Sequence, residues 1–153
     1  MNLTVIGAGY VGLVTAAVFS ELGNKVYCVD IDKKKAELVS NGVMPFIEYG
    51  AETILKDVLK KGSLALSHNA DSILKARYVI VAIGTPVDEY LNPKTRTFLE
   101  FFDGIKKYLN KSQTIIIRST VYPHTCQQVL NLLGNDEWHV AYCPERIAQG
   151  HAI

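Results

Sequence analysis

Glycines 7, 9 and 12 and the aspartate at 30 are the residues whose types and spacing point most directly to chemistry. The glycines lie in GAGYVG, after the short apolar run Leu3 to Ile6 and before the helical run Leu13 to Leu22. Gly7 lets the chain leave a strand in a tight turn, Gly9 lets backbone approach a pyrophosphate, and Gly12 lets a helix pack against the strand. The helix start offers unpaired N–H groups and a partial positive charge, so two phosphates need no basic side chain. Asp30 closes a second apolar run about 20 residues beyond this turn, where a carboxylate accepts hydrogen bonds from a ribose 2′-hydroxyl and repels a 2′-phosphate. That favours NAD over NADP. Taken alone, the stretch also suits FAD, S-adenosylmethionine or no ligand. Lys33, Lys34 and Lys35 suit either a phosphate or a solvated helix start.

A second set of polar residues follows later apolar runs: Gly84-Thr85-Pro86, Ser119-Thr120 and Cys143-Pro144-Glu145-Arg146. The Thr120 hydroxyl can hydrogen-bond a water or a substrate hydroxyl, and Glu145, behind a rigid proline, is a candidate general base. Glu145 and Arg146 read equally as a surface ion pair. Cys143 has no activating base beside it and reads as a small hydrophobe at a strand end.

Alternating strands and helices must position these residues. Helical spacing covers a segment from Ala36 to a glycine stop at Asn41-Gly42, and another from Ala51 to Lys61. Leu64–Ser67 reads as a strand and Asp71–Ala76 as a short helix. The almost wholly apolar RYVIVAI, 77–83, reads as a central parallel strand covered on both faces. A polar loop, a helix from Thr97 to Leu109, a strand from Thr114 to Arg118, a helix from His124 to Leu133 and a strand from Trp138 to Tyr142 complete the pattern. It predicts an α/β Rossmann-type, doubly wound parallel sheet in the order 3-2-1-4-5-6. Ligands of such sheets sit beyond the carboxyl ends of the strands, where the order reverses.

At 153 residues the chain is expected to form one domain, residues 1–153. Sixteen basic against fifteen acidic residues leave a net charge of +1, which argues against a nucleic-acid partner. No apolar run is long enough for a membrane span, and no charged leader precedes the first strand, which predicts a cytoplasmic protein. The three cysteines and four histidines have no metal-ligand spacing, so no metal site is expected.

The motifs GAGYVG, VDID followed by Lys35, GVMPFIEYG, AIGTPVDE, RSTVYP and AYCPERIAQG, in this order, resemble the NAD-dependent UDP-sugar 6-dehydrogenases across the whole chain. That family includes UDP-glucose and UDP-N-acetylhexosamine dehydrogenases. The resemblance implies that Gly7, Gly9, Tyr10, Val11 and Gly12 hold NAD at its pyrophosphate, with Val11 a backbone contact. It implies adenosine-ribose contacts from Asp30 and Lys35, and a nicotinamide side lined by Thr85, Pro86 and Thr120. Glu145 would be the acid at the reacting centre, serving catalysis with Thr120, and Glu145 and Arg146 would face the substrate.

The family oxidises a sugar C6 alcohol to a carboxylate in two hydride transfers, through an aldehyde held on a cysteine of its later half. No such cysteine motif occurs here, so the chain alone is expected to bind NAD weakly and to complete no turnover. The UDP-sugar would arrive through the missing half, in a parent enzyme that is a homodimer or larger. Arg146 leans the substrate toward a UDP-N-acetylhexosamine such as UDP-N-acetylmannosamine. Three departures stand out: His124 replaces the usual glycine of the RST loop, no aspartate follows the TP loop in YLNPKTRT, and the sequence ends at Ile153, after PERIAQG. The alternatives are a stand-alone NAD-binding or redox-sensing module, or another Rossmann enzyme such as a 3-hydroxyacid dehydrogenase.

Overall fold

Short β-branched runs alternate with amphipathic helices, and both faces of the resulting parallel sheet are covered. The computed structural model describes residues 1–85, 87, 89–90, 94–134, 137–146, 150–151 and 153. Pro86, expected beside the nicotinamide, lies outside them. Strands β1 (Asn2–Ile6), β2 (Lys25–Val29), β3 (Leu64–Ser67), β4 (Tyr78–Val81), β5 (Thr114–Ile117) and β6 (His139–Tyr142) form one sheet in the order β3-β2-β1-β4-β5-β6. Every neighbouring pair is parallel. The doubly wound Rossmann order read from the sequence is therefore the observed one.

Helices α1 (Tyr10–Glu21), α2 (Lys33–Ser40) and α3 (Ala51–Lys60) connect the first three strands, and α4 (Thr95–Ile105) and α5 (Thr125–Leu133) the last three. The two layers bury separate cores. Leu13, Val39, Leu55 and Val58 pack on one face of the sheet with Leu3, Val5 and Ile80. Phe98, Phe102, Val129 and Leu133 pack on the other with Val79, Val81 and Ile117. In β4 the alternation of side chains sends Val79 and Val81 to one core and Ile80 to the other.

Three elements differ from the sequence reading. The helix read from Thr97 to Leu109 is α-helical over Thr95–Ile105 and tightens into a 3-10 turn at Lys106–Tyr108. The central strand is shorter than 77–83, because past Val81 the chain turns out of the ladder while Arg118 and Ser119 N–H groups both reach the Val81 carbonyl. The segment read as a helix over 71–76 is a 3-10 helix, Ala70–Lys75, which the Asn69 side chain starts by accepting from Asp71 N–H at 3.0 Å. So short a segment gains few i→i+4 bonds against the cost of nucleation, and it closes instead with an i→i+3 bond from Ala76 N–H to the Ile73 carbonyl at 3.1 Å.

Gln113, only 1% exposed, fastens this turn to β5. Its amide donates to the carbonyls of Ile73 (2.6 Å) and Ala76 (2.8 Å), and its oxygen accepts from Asn110 N–H (2.9 Å). Gln113→Ala removes these three hydrogen bonds, with the Ile73 carbonyl still accepting from Ala76 N–H, and we expect a loss of about 2–3 kcal/mol in urea denaturation.

Candidate functional site

The turn after β1 is built by backbone-to-backbone contact. Gly7 has φ +101, and a Cβ there would meet the Ala82 carbonyl oxygen at 2.5 Å. A Cβ on Gly12 would meet the Gly7 carbonyl oxygen at 1.8 Å. These two glycines thus let α1 and the exit of β4 close on the turn. Gly9 differs: nothing lies within 4 Å of its Cβ position. It caps α1 with no side-chain hydrogen bond, and the first turn of α1 carries no acid. The N–H groups of residues 10–12 have no intrahelical acceptor, so a partial positive charge faces open space.

Asp30 stands at the end of β2, with its side chain 9% exposed. One carboxylate oxygen accepts from Ala8 N–H (2.7 Å) and from the Lys35 ammonium (3.1 Å), and the other from Asp32 N–H (2.9 Å). Burial pushes this carboxyl up, but the Asp32 and Ala8 N–H groups, with Lys35, outweigh it and hold the group below its ordinary value. A carboxylate has about four lone-pair directions, so one remains for an incoming hydroxyl. Behind it, the Cys28 thiol is pushed up to about 12 by burial and then by the charge of Asp30, with Lys35 opposing, so it stays an unreactive thiol.

A cleft of about 450 Å³ runs from Gly7 and Gly9 past Asp30 and Ile31 to Gly84 and Phe101. Ile31 is 95% exposed there, an apolar side chain left uncovered beside an ionised carboxylate. Phe98 also walls a smaller recess that brings Thr85 and Thr120 together with Lys94 and Tyr122. The aromatic wall from α4 was not legible in the sequence. Phe98 and Phe101 sit at ordinary core spacing, and nothing marks which face of a phenylalanine meets a cleft.

Of the other expected residues, Tyr10 is partly exposed and stacks on Phe46 with ring centroids 4.3 Å apart, while Val11 is half-buried in the first turn of α1. Glu145 and Arg146 line neither space. The alternative of a Glu145–Arg146 ion pair is corrected: Glu145 pairs with the Arg118 guanidinium at the end of β5. Arg146 meets it only through its backbone N–H, at 2.6 Å. The pair is largely buried, and Arg118 Nε is buried without a hydrogen-bond partner. His124, the departure in the RST loop, has φ +69. It keeps the glycine-like backbone with a side chain, at a cost of about 1–2 kcal/mol. Among the described residues no three histidines, cysteines or acids are grouped to hold a metal, and no helix is long and apolar enough to cross a membrane.

A doubly wound parallel sheet, an uncapped glycine turn at its crossover and an acid closing the second strand define a Rossmann dinucleotide-binding domain. The profile of the NAD binding domain of the UDP-glucose/GDP-mannose dehydrogenase family matches residues 1–153, and the chain belongs to that family as its NAD-binding domain. UDP-glucose 6-dehydrogenase of Pseudomonas aeruginosa is 37% identical over all of this chain and 36% of its own length. The UDP-D-ManNAc dehydrogenase of Pyrococcus horikoshii superposes with a TM-score of 0.90 at 27% identity, over 98% of this chain and 37% of that one. The UDP-N-acetyl-mannosamine dehydrogenase Cap5O of Staphylococcus aureus gives a TM-score of 0.85 at 31% identity, over 98% and 38%. The chain thus spans little more than a third of the length of these relatives.

Proposed function

We propose that this chain is the cofactor domain, a single unit over residues 1–153, of a cytoplasmic enzyme that oxidises the C6 alcohol of a UDP-sugar to the carboxylate. When bound, NAD accepts the hydride in each of the two oxidations. Gly7, Gly9, Tyr10, Val11 and Gly12 hold the pyrophosphate at the bare N-terminus of α1. Asp30 accepts from the adenosine ribose, with Lys35 holding the carboxylate in place. Thr85 and Thr120 border the nicotinamide side, and the Thr120 hydroxyl orients a water or the substrate hydroxyl. Glu145, fixed by Arg118, is the acid at the reacting centre, and Arg146 beside it faces the sugar nucleotide.

The observation that carries this reading is the pairing, side by side in one cleft, of an uncapped helix start with a buried, ionised Asp30. Arg146 favours a UDP-N-acetylhexosamine over UDP-glucose, and the relatives' names include both classes. The UDP-binding surface and the nucleophilic cysteine belong to the part of the relatives beyond this chain, in a parent enzyme that is a homodimer or larger.

Calorimetric titration of the chain with NAD and NADP tests the reading. NAD should bind, with NADP at least tenfold weaker, and neither UDP-glucose nor UDP-N-acetylmannosamine should yield NADH from the chain alone. Equal affinity for the two cofactors would remove Asp30 from its role, and steady NADH production would overturn the assignment of the nucleophile to the rest of the enzyme.

A further inference from the structure

The segment after β6 is held at two points far apart in the fold. Glu145 is tied to Arg118 at the carboxyl end of β5. Gly150 is tied to Glu48, in the loop between α2 and α3: the Glu48 carboxylate accepts from Gly150 N–H at 2.9 Å. Glu48 is 7% exposed, an unusual place for a carboxylate in a surface loop. Two neighbours reinforce the tie. Tyr49 N–H reaches the Gly150 carbonyl at 3.4 Å, and the Tyr49 ring lies 5.5 Å from the His151 imidazole.

Since α3 packs on α1 and its N-terminus follows Gly50 directly, Glu48 stands at the carboxyl edge of the sheet on the α1 side. Glu145 is therefore held from the β5 side and Gly150 from the α1 side of the crossover between β1 and β4. The loop that receives it is in turn seated on the dinucleotide turn, through Phe46 against Tyr10 in the first turn of α1.

We propose that Glu48 is a positioning residue, which fixes the segment bearing Glu145 and Arg146 and links its placement, through Phe46 and Tyr10, to occupancy of the dinucleotide turn. The link rests on the reading of the cleft as an NAD site. Glu48 itself touches no reacting atom. At the Gly150 N–H a carbonyl oxygen in the place of the carboxylate accepts as well.

Amide exchange and NAD titration on the 15N-labelled chain decide it. In Glu48→Leu, which keeps the side-chain volume and removes the acceptor, Gly150 should exchange at least about tenfold faster. Glu48→Gln, which retains an acceptor oxygen, should restore the rate to within about twofold. In the unaltered chain NAD should shift the Gly150 and Arg146 amides together with Tyr10, whereas in Glu48→Leu only Tyr10 should respond. An unchanged Gly150 rate in Glu48→Leu, a failed rescue by glutamine, or Gly150 and Arg146 still following NAD without the acceptor would each overturn the proposal. If NAD moves neither Gly9 nor Tyr10 in the unaltered chain, the cofactor reading and the link to it both fall, while the exchange rates still judge the anchoring. Should Glu48→Leu fail to fold, Glu48→Ala takes its place in both arms with the same outcomes.

Discussion

Gly12→Ala should destabilise the chain by about 3 kcal/mol or more and abolish NAD binding. The added methyl would sit 1.8 Å from the Gly7 carbonyl oxygen, far inside contact distance. That oxygen belongs to the Gly7–Ala8 peptide, which has little room to yield: its Ala8 N–H bonds the Asp30 carboxylate at 2.7 Å, the preceding Gly7 N–H bonds the Val29 carbonyl at 2.8 Å, and Gly7 itself abuts the Ala82 backbone. The helix must therefore move off the strand, and overpacking of a rigid contact costs about 1–3 kcal/mol even where side chains can adjust. Here the obstacle is backbone. Urea denaturation and NAD titration read the two effects. Gly9→Ala is the control, because its methyl enters open space at an ordinary φ of −87°. Its stability should be nearly that of the unaltered chain while NAD affinity falls. If Gly12→Ala keeps full stability, the helix is not seated on the turn as described.

Asp30→Ala should lower NAD affinity about a hundredfold and NADP affinity far less, so that the preference between them collapses. Hydrogen bonds to a charged acceptor are worth about 1.5–3 kcal/mol each, and Asp30 is the acceptor for the ribose in the proposed complex. Parallel titrations of both cofactors read the change, and a retained NAD preference would place discrimination elsewhere in the cleft. The same carboxylate has a pH signature. Because its folded value lies below the ordinary 3.8, Asp30 contributes stability that is complete above that pH and is lost as the pH falls through the folded value. Asp30→Asn should therefore flatten the acid limb of the urea midpoint below about pH 4 and leave its slope near neutrality unchanged.

The glycine turn was legible because it depends on residues close together in sequence, and the strand order because the alternation of elements restricts it. Apolar runs of strand length, helical spacing between them and right-handed crossovers leave few alternatives to the observed sheet. GAGYVG and Asp30 belong to one β-α-β unit, so their proximity follows from local geometry. Boundaries were less legible, as in β4, because the ladder ends where β5 turns over Val81, a tertiary event. The partners of the two acids were not legible at all. Glu145 finds Arg118 across 27 residues and Glu48 finds Gly150 across 102, and nothing in the spacing of either pair announces the contact. The neighbour in sequence, Arg146, was the natural but mistaken partner for Glu145.

The crossover between β1 and β4 also sets how the molecule comes together. Strands β1 to β3 and β4 to β6 carry their helices on opposite faces of the sheet, and each core reaches across the seam between β1 and β4, one through Ile80 and the other through Ile6. Joining them requires β1 to find a strand that begins at Tyr78, a closure between distant parts of the chain that carries its entropy cost before any contact rewards it. Gly7, Gly9 and Gly84 meet in one cleft only when that pairing is complete. A dinucleotide seated there binds the joined form and not its separate halves, so it acts on the folding equilibrium by mass action and holds that seam shut.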